Sequence, residues 1–527
     1  MLLEKLFEKL DDSQQQLLKG LAIYNKAVEK EALEALQLTV SSKDCKKPAE
    51  LFLLDYSAKK DLYRIHRMTA RHILGKLSEE EHKRLHLLAA GYFKNAAAQE
   101  GKKNLEIEIK TRRHYLEAEE WDKAAEMTFE LGDHLAVEGF PQLAFDLLKE
   151  IESYDYEDDT ALLIHQKLGI FHALFGQLDD VIKQSEKLLE LFEKSGNREG
   201  MAQSLRQMGM AHESKRKYDE AVEELMKSQE LFVEIGDKVS AAFNLRQVGQ
   251  IQQKRGKYDE ALEHYNKALE YSQQVDDDKG VSESFHHIAR AHEERGGFDT
   301  ALDYYRRSQE LKEKIGDENE IASGLHQLGN VLFMKSDFDE AFKHYQRSLE
   351  LNEKNDDLKS AGYNLGQIGM IHQRKGREED AFKCYEKSRD LFEKSGDKKG
   401  LASGLHQLGR IYQTRGKLEE ALDYLKKSLE IREEMMDMPG MGLCHGQLGI
   451  LYLEKEEYEE SLRHSVKAYL IFSKMNAPAI QLARKNMLKA RENLPKEKFE
   501  EILKEFNITV EPPKDEQAGS GEKDSKE

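Results

Sequence analysis

Cysteine, proline and tryptophan are scarce in this 527-residue chain, at 3, 7 and 1 residues. Cys45, Cys384 and Cys444 stand far apart without a CxxC spacing, so neither a disulfide framework nor a zinc knuckle is readable. With few prolines and few β-branched runs, and with Ala, Leu, Glu and Lys abundant, little interrupts a helical backbone ladder, and an all-α fold is predicted. Long apolar runs are also missing. Met1 to Leu10 alternates charged and apolar residues at helical spacing, which suits neither a signal peptide nor a membrane span. A cytoplasmic protein without membrane contact is expected. Acidic residues outnumber basic ones, 100 to 81, giving a formal net charge of −19 that argues against broad wrapping of nucleic acid. No GxxxxGK[ST], GxGxxG after a strand, GxSxG or spaced Cys/His dyad occurs. Neither a catalytic residue nor a cofactor is expected.

What the chain does have is repetition. Gly169, Gly209, Gly249, Gly329, Gly369, Gly409 and Gly449 fall on one 40-residue grid, and Ala289 fills the missing node. Twelve residues later the grid carries Val181, Ala221, Ala261, Ala301, Ala341, Ala381, Ala421 and Ser461. Then come Leu225, Tyr265, Tyr305, Tyr345, Tyr385 and Leu425, followed by the small residues Ser228, Ala268, Ser308, Ser348, Ser388 and Ser428. Spacings of three and four mark helix faces. Each repeat therefore reads as two helices, the first near 201–215 and the second near 218–235, with Gly-Asp pairs at 236–237, 316–317 and 396–397 joining one repeat to the next. Glycine or alanine at the grid lets two helix backbones approach, and a large side chain fills the space beside them. One hairpin cannot bury its apolar face alone, but eight stacked hairpins over 160–479 can, as a right-handed helix-hairpin solenoid.

The series Leu325-His-Gln-Leu-Gly329, Phe338-Asp-Glu-Ala341, Tyr345 and Ser348 resembles the tetratricopeptide repeat, in the 40-residue form of Pins-type adaptors and kinesin light chains. Residues 101–159 resemble degenerate leading hairpins, 480–510 a helical cap broken at Pro495, and 511–527 a polar disordered tail. The resemblance implies a non-enzymatic scaffold that binds an extended polypeptide along its first helices. Just before each Leu-Gly step, one position reads Arg206, Arg246, His286, His326, Gly366, His406 and Gly446; the next reads Gln207, Gln247, His287, Gln327, Gln367, Gln407 and Gln447. Related adaptors carry Asn at the second position, where its amide binds peptide backbone. A primary amide has two donors and an acceptor, so a column of Gln can satisfy successive peptide groups. Arg290, Asn330 and Arg410 follow on the same wall, against Glu213, Glu293 and Glu294. A positive strip of Arg206, Arg246, Arg290, His326, His406 and Arg410 inside an acidic molecule predicts an acidic peptide or partner protein as ligand.

Residues 1–100 lie off the grid. Helices are expected at 13–24 and 30–38, then a polar stretch with Pro48, then strand (Leu51 to Leu54), wing (Lys59 to Asp61), strand (Leu62 to Ile65) and a helix from His66 to Leu77. This order, with Tyr63-Arg64-Ile65-His66-Arg67, resembles the winged-helix module of STAND ATPases, which a helical repeat array follows. By that likeness His66 takes the place of a nucleotide-sensing histidine, but Arg67 stands where the family has an acid. A helix-start role is expected for His66, and the module is expected to cap the array or to dock a separately encoded ATPase. A DNA-binding regulator with a repeat sensor is the alternative: bases such as Lys43, Lys46, Lys47, Arg64 and Arg71 favour it. Glu29, Glu31 and Glu34 on the second helix oppose it. Among 19 histidines only His82 and His86, four residues apart, could meet one cation. With no third ligand nearby in sequence, no metal is expected.

Overall fold

The computed structural model describes residues 2–508 apart from 25, 39, 58, 59, 61 and 101–103. The expected tail at 511–527 and part of the expected wing, Lys59 and Asp61, lie outside the described residues. The chain forms two compact bodies, 1–255 and 256–527. Among the described residues no helix is long and apolar enough to cross a membrane.

The first body begins with α1 (Leu2–Phe7), α2 (Asp12–Tyr24), β1 (Val28–Glu29), α3 (Lys30–Glu34), α4 (Ser42–Glu50), β2 (Leu54–Ser57), β3 (Leu62–Ile65) and α5 (Arg67–Leu74). The strands make one antiparallel sheet in the order β1-β3-β2, with Leu54 opposite Ile65 and Tyr56 stacked on Tyr63 at 4.9 Å. Leu17, Leu18, Leu21, Leu33, Leu53, Leu54, Tyr63 and Ile73 share its buried core. Two expectations are corrected here. The polar stretch around Pro48 is the helix α4: Ser41 and Asp44 form a reciprocal capping box that starts it, while Pro48 sits inside it. The first strand consequently begins three residues late, because Phe52 turns the chain at φ +55° after that helix. His66 occupies the N-cap position of α5, where its carbonyl accepts from Ala70 N–H at 2.9 Å but its side chain makes no cap bond, and it lies 3.5 Å from Asp55.

Next come α6 (Glu79–Glu100), α7 (Leu105–Glu117) and helices Trp121–Val137 and Pro141–Ile151, then paired helices to Lys254. Buried Arg112 ties this region together, donating to Thr128 Oγ1 at 2.6 Å, Glu150 at 2.8 Å and the Leu147 carbonyl at 2.9 Å. The second body continues the pairs, from Tyr258–Gln274 to Tyr458–Lys474, and ends in Ile480–Glu492 and Lys496–Glu505 on either side of Pro495.

The close approach foreseen at the glycine grid is present in both bodies. A Cβ on Gly209 would lie 2.8 Å from Leu225 Cγ, and one on Gly329 or Gly369 would lie 2.7 Å from the ring of Tyr345 or Tyr385. The small column has a polar reason as well as a steric one. Ser228, Ser348, Ser388 and Ser428 donate from their hydroxyls to the carbonyls of Ala202, Ala322, Gly362 and Ala402, each 26 residues earlier, at 2.6–2.8 Å. Each such buried bond contributes about 1 kcal/mol. At the joints Asp237, Asp357, Asp397 and Asp437 accept from the backbone N–H three residues on, capping the next helix.

Ion pairs 36 residues apart recur on the outside, among them Arg255–Asp219, Arg295–Asp259, Arg415–Glu379 and Lys455–Glu419 at 2.7–2.9 Å. Their acids are largely exposed, so each contributes at most about 1 kcal/mol.

The chain enters the left-handed region at every joint. Gly236, Gly316 and Gly396 do so at φ +70° to +86°, whereas Met436 is held at φ +54° with its side chain exposed. Replacing Met436 with Gly is expected to raise stability by about 1 kcal/mol, since a side chain in this region is strained and glycine is not. Urea unfolding of the variant checks this; equal or lower stability would contradict it.

Candidate functional site

Each first helix packs one face against its own second helix, and the two polar columns stand on its other sides. In the first body these are Arg206, Gln207, Arg246 and Gln247, on helices Arg198–Ser214 and Lys238–Lys254. In the second body they are His286, His287, His326, Gln327, Gln367, His406, Gln407 and Gln447, with Arg290, Asn330 and Arg410 one turn further on.

The first column differs from the expected strip of free positive charge. Arg206 donates from Nε to Asn244 Oδ1 at 2.7 Å and from a terminal nitrogen to the Ser240 carbonyl at 3.1 Å, with its guanidinium 4.4 Å from the Phe232 ring centre. Arg246 is buried. His326 Nδ1 pairs with Asn364 Oδ1 at 2.8 Å, and His406 Nδ1 lies 3.6 Å from Cys444 Sγ. Asn244, Asn364 and Cys444 stand 38 residues on, at one node of the next repeat, so Arg206, His326 and His406 each pin one first helix to its successor. Asn244 and Asn364 complete the joint by donating to Ser228 and Ser348 Oγ at 2.8 and 2.9 Å. Burial holds His326 below the usual imidazole range, and burial beside Arg432 and Arg410 pushes His406 down to about 4. Both rings are neutral at pH 7. On the same wall Arg290 lies 3.7 Å from Glu294 and Lys254 2.7 Å from Glu213, further reducing the free charge.

The second column is arranged differently. Gln207 is exposed, and Gln247, His287, Gln327, Gln367, Gln407 and Gln447 are half-buried. Arg410, which can only donate, gives a hydrogen bond to Gln407 Oε1 at 3.2 Å. Asn330 Nδ2 donates to Gln327 Oε1 at 3.2 Å, its own oxygen held by the Tyr345 hydroxyl at 2.7 Å. Ser185 donates to Gln207 Oε1 at 3.2 Å. In all three the amide carbonyl is occupied within the chain. Gln447 donates instead to Gln413 Oε1, and His287 stacks on Tyr265 at 5.3 Å. The residues sequence reasoning missed, Asn244, Asn364 and Cys444, occupy one node of the same 40-residue grid, and that regularity was the available signal.

Family models described as tetratricopeptide repeat match residues 202–232, 240–314, 322–355 and 360–434. These segments are tetratricopeptide repeats. The matched stretches lie on the helix pairs above, and the repeats support a role in binding other proteins. Comparison with curated proteins finds no match. Among solved structures, one similar to this chain is a signal transduction ATPase with numerous domains carrying a tetratricopeptide repeat sensor, from Pyrococcus horikoshii. Identity is 16%, with 75% of this chain and 66% of that one covered, at a TM-score of 0.44. The chain thus spans just under two thirds of that protein's length. Aspartyl phosphate phosphatase F from Bacillus subtilis is 14% identical, covering 67% of this chain and 93% of that one at a TM-score of 0.45. A kinesin light chain protein of Podospora anserina with nearly identical TPR-like repeats is 16% identical over 37% of this chain and 95% of that one, at a TM-score of 0.33.

Proposed function

We propose that the protein is a non-enzymatic scaffold whose tetratricopeptide repeats hold an extended segment of a partner polypeptide along the outward side of the first helices. The observation that carries this reading is that glutamine amide carbonyls of the second column are occupied within the chain. With Oε1 of Gln327 and Gln407 occupied by Asn330 and Arg410, the free NH2 groups are donors matched to the carbonyls of an extended backbone. Recognition is distributed over the repeats, each contributing a modest bond. A preference for acidic segments rests on Arg410, because Arg206, His326 and His406 hold contacts within the chain and the two histidines are neutral. Replacing Gln327, Gln367 and Gln407 together by Leu is expected to weaken partner binding at least tenfold without loss of helicity. Quantitative pull-down with the full chain, wild type against triple variant, tests this; an unchanged set of bound proteins would sink it.

The N-terminal head, by the likeness carried in Tyr63-Arg64-Ile65-His66-Arg67, serves in this reading as the docking element for a separately encoded ATPase, with the repeats as sensor. Few cysteines, at positions 45, 384 and 444 and without a readable disulfide framework, suit a cytoplasmic setting.

A second reading, DNA binding by the head, is favoured by α4. Lys43, Lys46 and Lys47 are exposed on one side of that helix while Cys45 and Pro48 are buried on the other. A gel shift with the full chain that weakens steeply with salt, and is lost in Lys43→Glu with Lys46→Glu, would establish it.

A further inference from the structure

A cavity of about 840 Å³ lies in the first body, walled by the head on one side and by α6 and α7 on the other. Apolar groups such as Ile23, Leu74 and Phe93 line part of it, and His82, His86, His114 and Glu117 line another part. His82 and His86 are one turn apart on α6 and so share a face, with ring centres 4.4 Å apart. Helix α7 packs along α6 and brings Glu117 in from its last turn. One ligand atom from each of His82, His86 and Glu117 lies within 4.8 Å of the other two.

We propose that His82, His86 and Glu117 form a binding site for a divalent transition-metal ion of the zinc type, with one coordination position open to the cavity. Two imidazoles and a carboxylate are a donor set of the right kind, and three protein ligands with a vacant fourth place is the usual composition of an open zinc site. Nitrogen or oxygen ligands about 2.0–2.1 Å from a tetrahedral ion stand about 3.3 Å from each other. Closing the set therefore asks for shifts of about 1 Å, which side-chain rotation supplies, since His82 is half-buried and Glu117 exposed. His86 is the fixed member: it is buried, and its Nδ1 is 2.9 Å from Nδ1 of His114. When His86 donates in that bond, its Nε2 keeps the lone pair that coordinates. His114 then acts as the outer partner that metal-binding imidazoles commonly have. Arg67, Arg71 and Arg113 also line the cavity, and they favour water or an anion, and not a neutral organic group, at the open position.

Bound metal would tie α6 to α7 and stabilise the first body in proportion to its concentration. The test uses the full chain, stripped with chelator and then titrated with Zn2+ by calorimetry and with Co2+ by visible absorption. One equivalent per chain is expected, with the d–d bands of tetrahedral Co2+ and a rise in the melting temperature. Glu117→Gln and His82→Gln leave the buried histidine in place, and each is expected to weaken binding at least tenfold. Their combination is expected to abolish stoichiometric uptake while helicity is retained. Failure of the wild type to take up an equivalent at micromolar concentration would overturn the proposal. So would a double variant that binds as the wild type does, which would assign the ion to histidines elsewhere.

Discussion

Tyr345→Ala is expected to destabilise the second body by about 3–5 kcal/mol, the range for deleting a buried aromatic ring. Tyr345 is wholly buried, lies against Gly329, and donates its hydroxyl to Asn330 at 2.7 Å. Its loss removes the ring that fills the glycine contact and frees the Asn330 amide that orients Gln327. Gly329→Leu attacks the same contact from the other side, because even a Cβ there would sit 2.7 Å from the ring. Gly329→Ala is expected to cost much less. In the neighbouring repeat Ala289 and Tyr305 are both buried at the corresponding places, so the joint tolerates one methyl group, and alanine regains about 1 kcal/mol of helix propensity. Because stacked repeats can unfold piecewise, hydrogen exchange is the better measurement: protection should fall over 318–354 first. A Tyr345→Ala protein within 1 kcal/mol of wild type, with uniform protection, would refute the account.

Acid should unfold the second body at a pH where carboxylates still carry charge. His286 and His406 are each held down to about 4, by burial first, then by Lys312 and Arg290 near His286, with Glu320 partly offsetting, and by Arg432 and Arg410 near His406. Burial likewise lowers His445 and His464, whose Nδ1 atoms are 2.9 Å apart. The unfolded chain binds protons near the ordinary histidine value of about 6.5, the folded chain only near 4. Stability is thus fully present above about 6.5 and is lost as pH falls towards 4. At pH 5 each of His286 and His406 costs about 2 kcal/mol relative to pH 7. Replacing both by Gln should therefore spare about 4 kcal/mol of the loss between pH 7 and 5. Melting curves across that range provide the check; the same acid dependence in variant and wild type would be fatal to it.

Neutral histidines also alter the functional picture. An ionic ligand contact through His326 or His406 would need a charge that burial denies them, so in the proposed function the attraction for acidic segments rests on Arg410. The histidines serve the joint between repeats, where a neutral ring can meet Asn364 or the Cys444 sulfur without an ionic partner.

The sequence by itself determined the helical pairs, their 40-residue register and the contacts at Gly329, Tyr345 and Ser348. Those features follow from local spacing: residues three, four and twelve apart lie on fixed helix faces, and only small side chains permit the close crossing. That the second polar residues recur at one place in each repeat was legible for the same reason. Which polar groups remain free was not, because the partners of Arg206 and His326 lie 38 residues away and are brought beside them only by stacking. Helix α4 escaped notice since Pro48 reads as a breaker, while the capping box that outweighs it depends on two side chains closing on each other. Tertiary structure alone placed Glu117 beside His82 and His86, across the packed faces of α6 and α7, and it alone decided the charge of the buried imidazoles, because desolvation depends on what surrounds a ring and not on its neighbours in the chain.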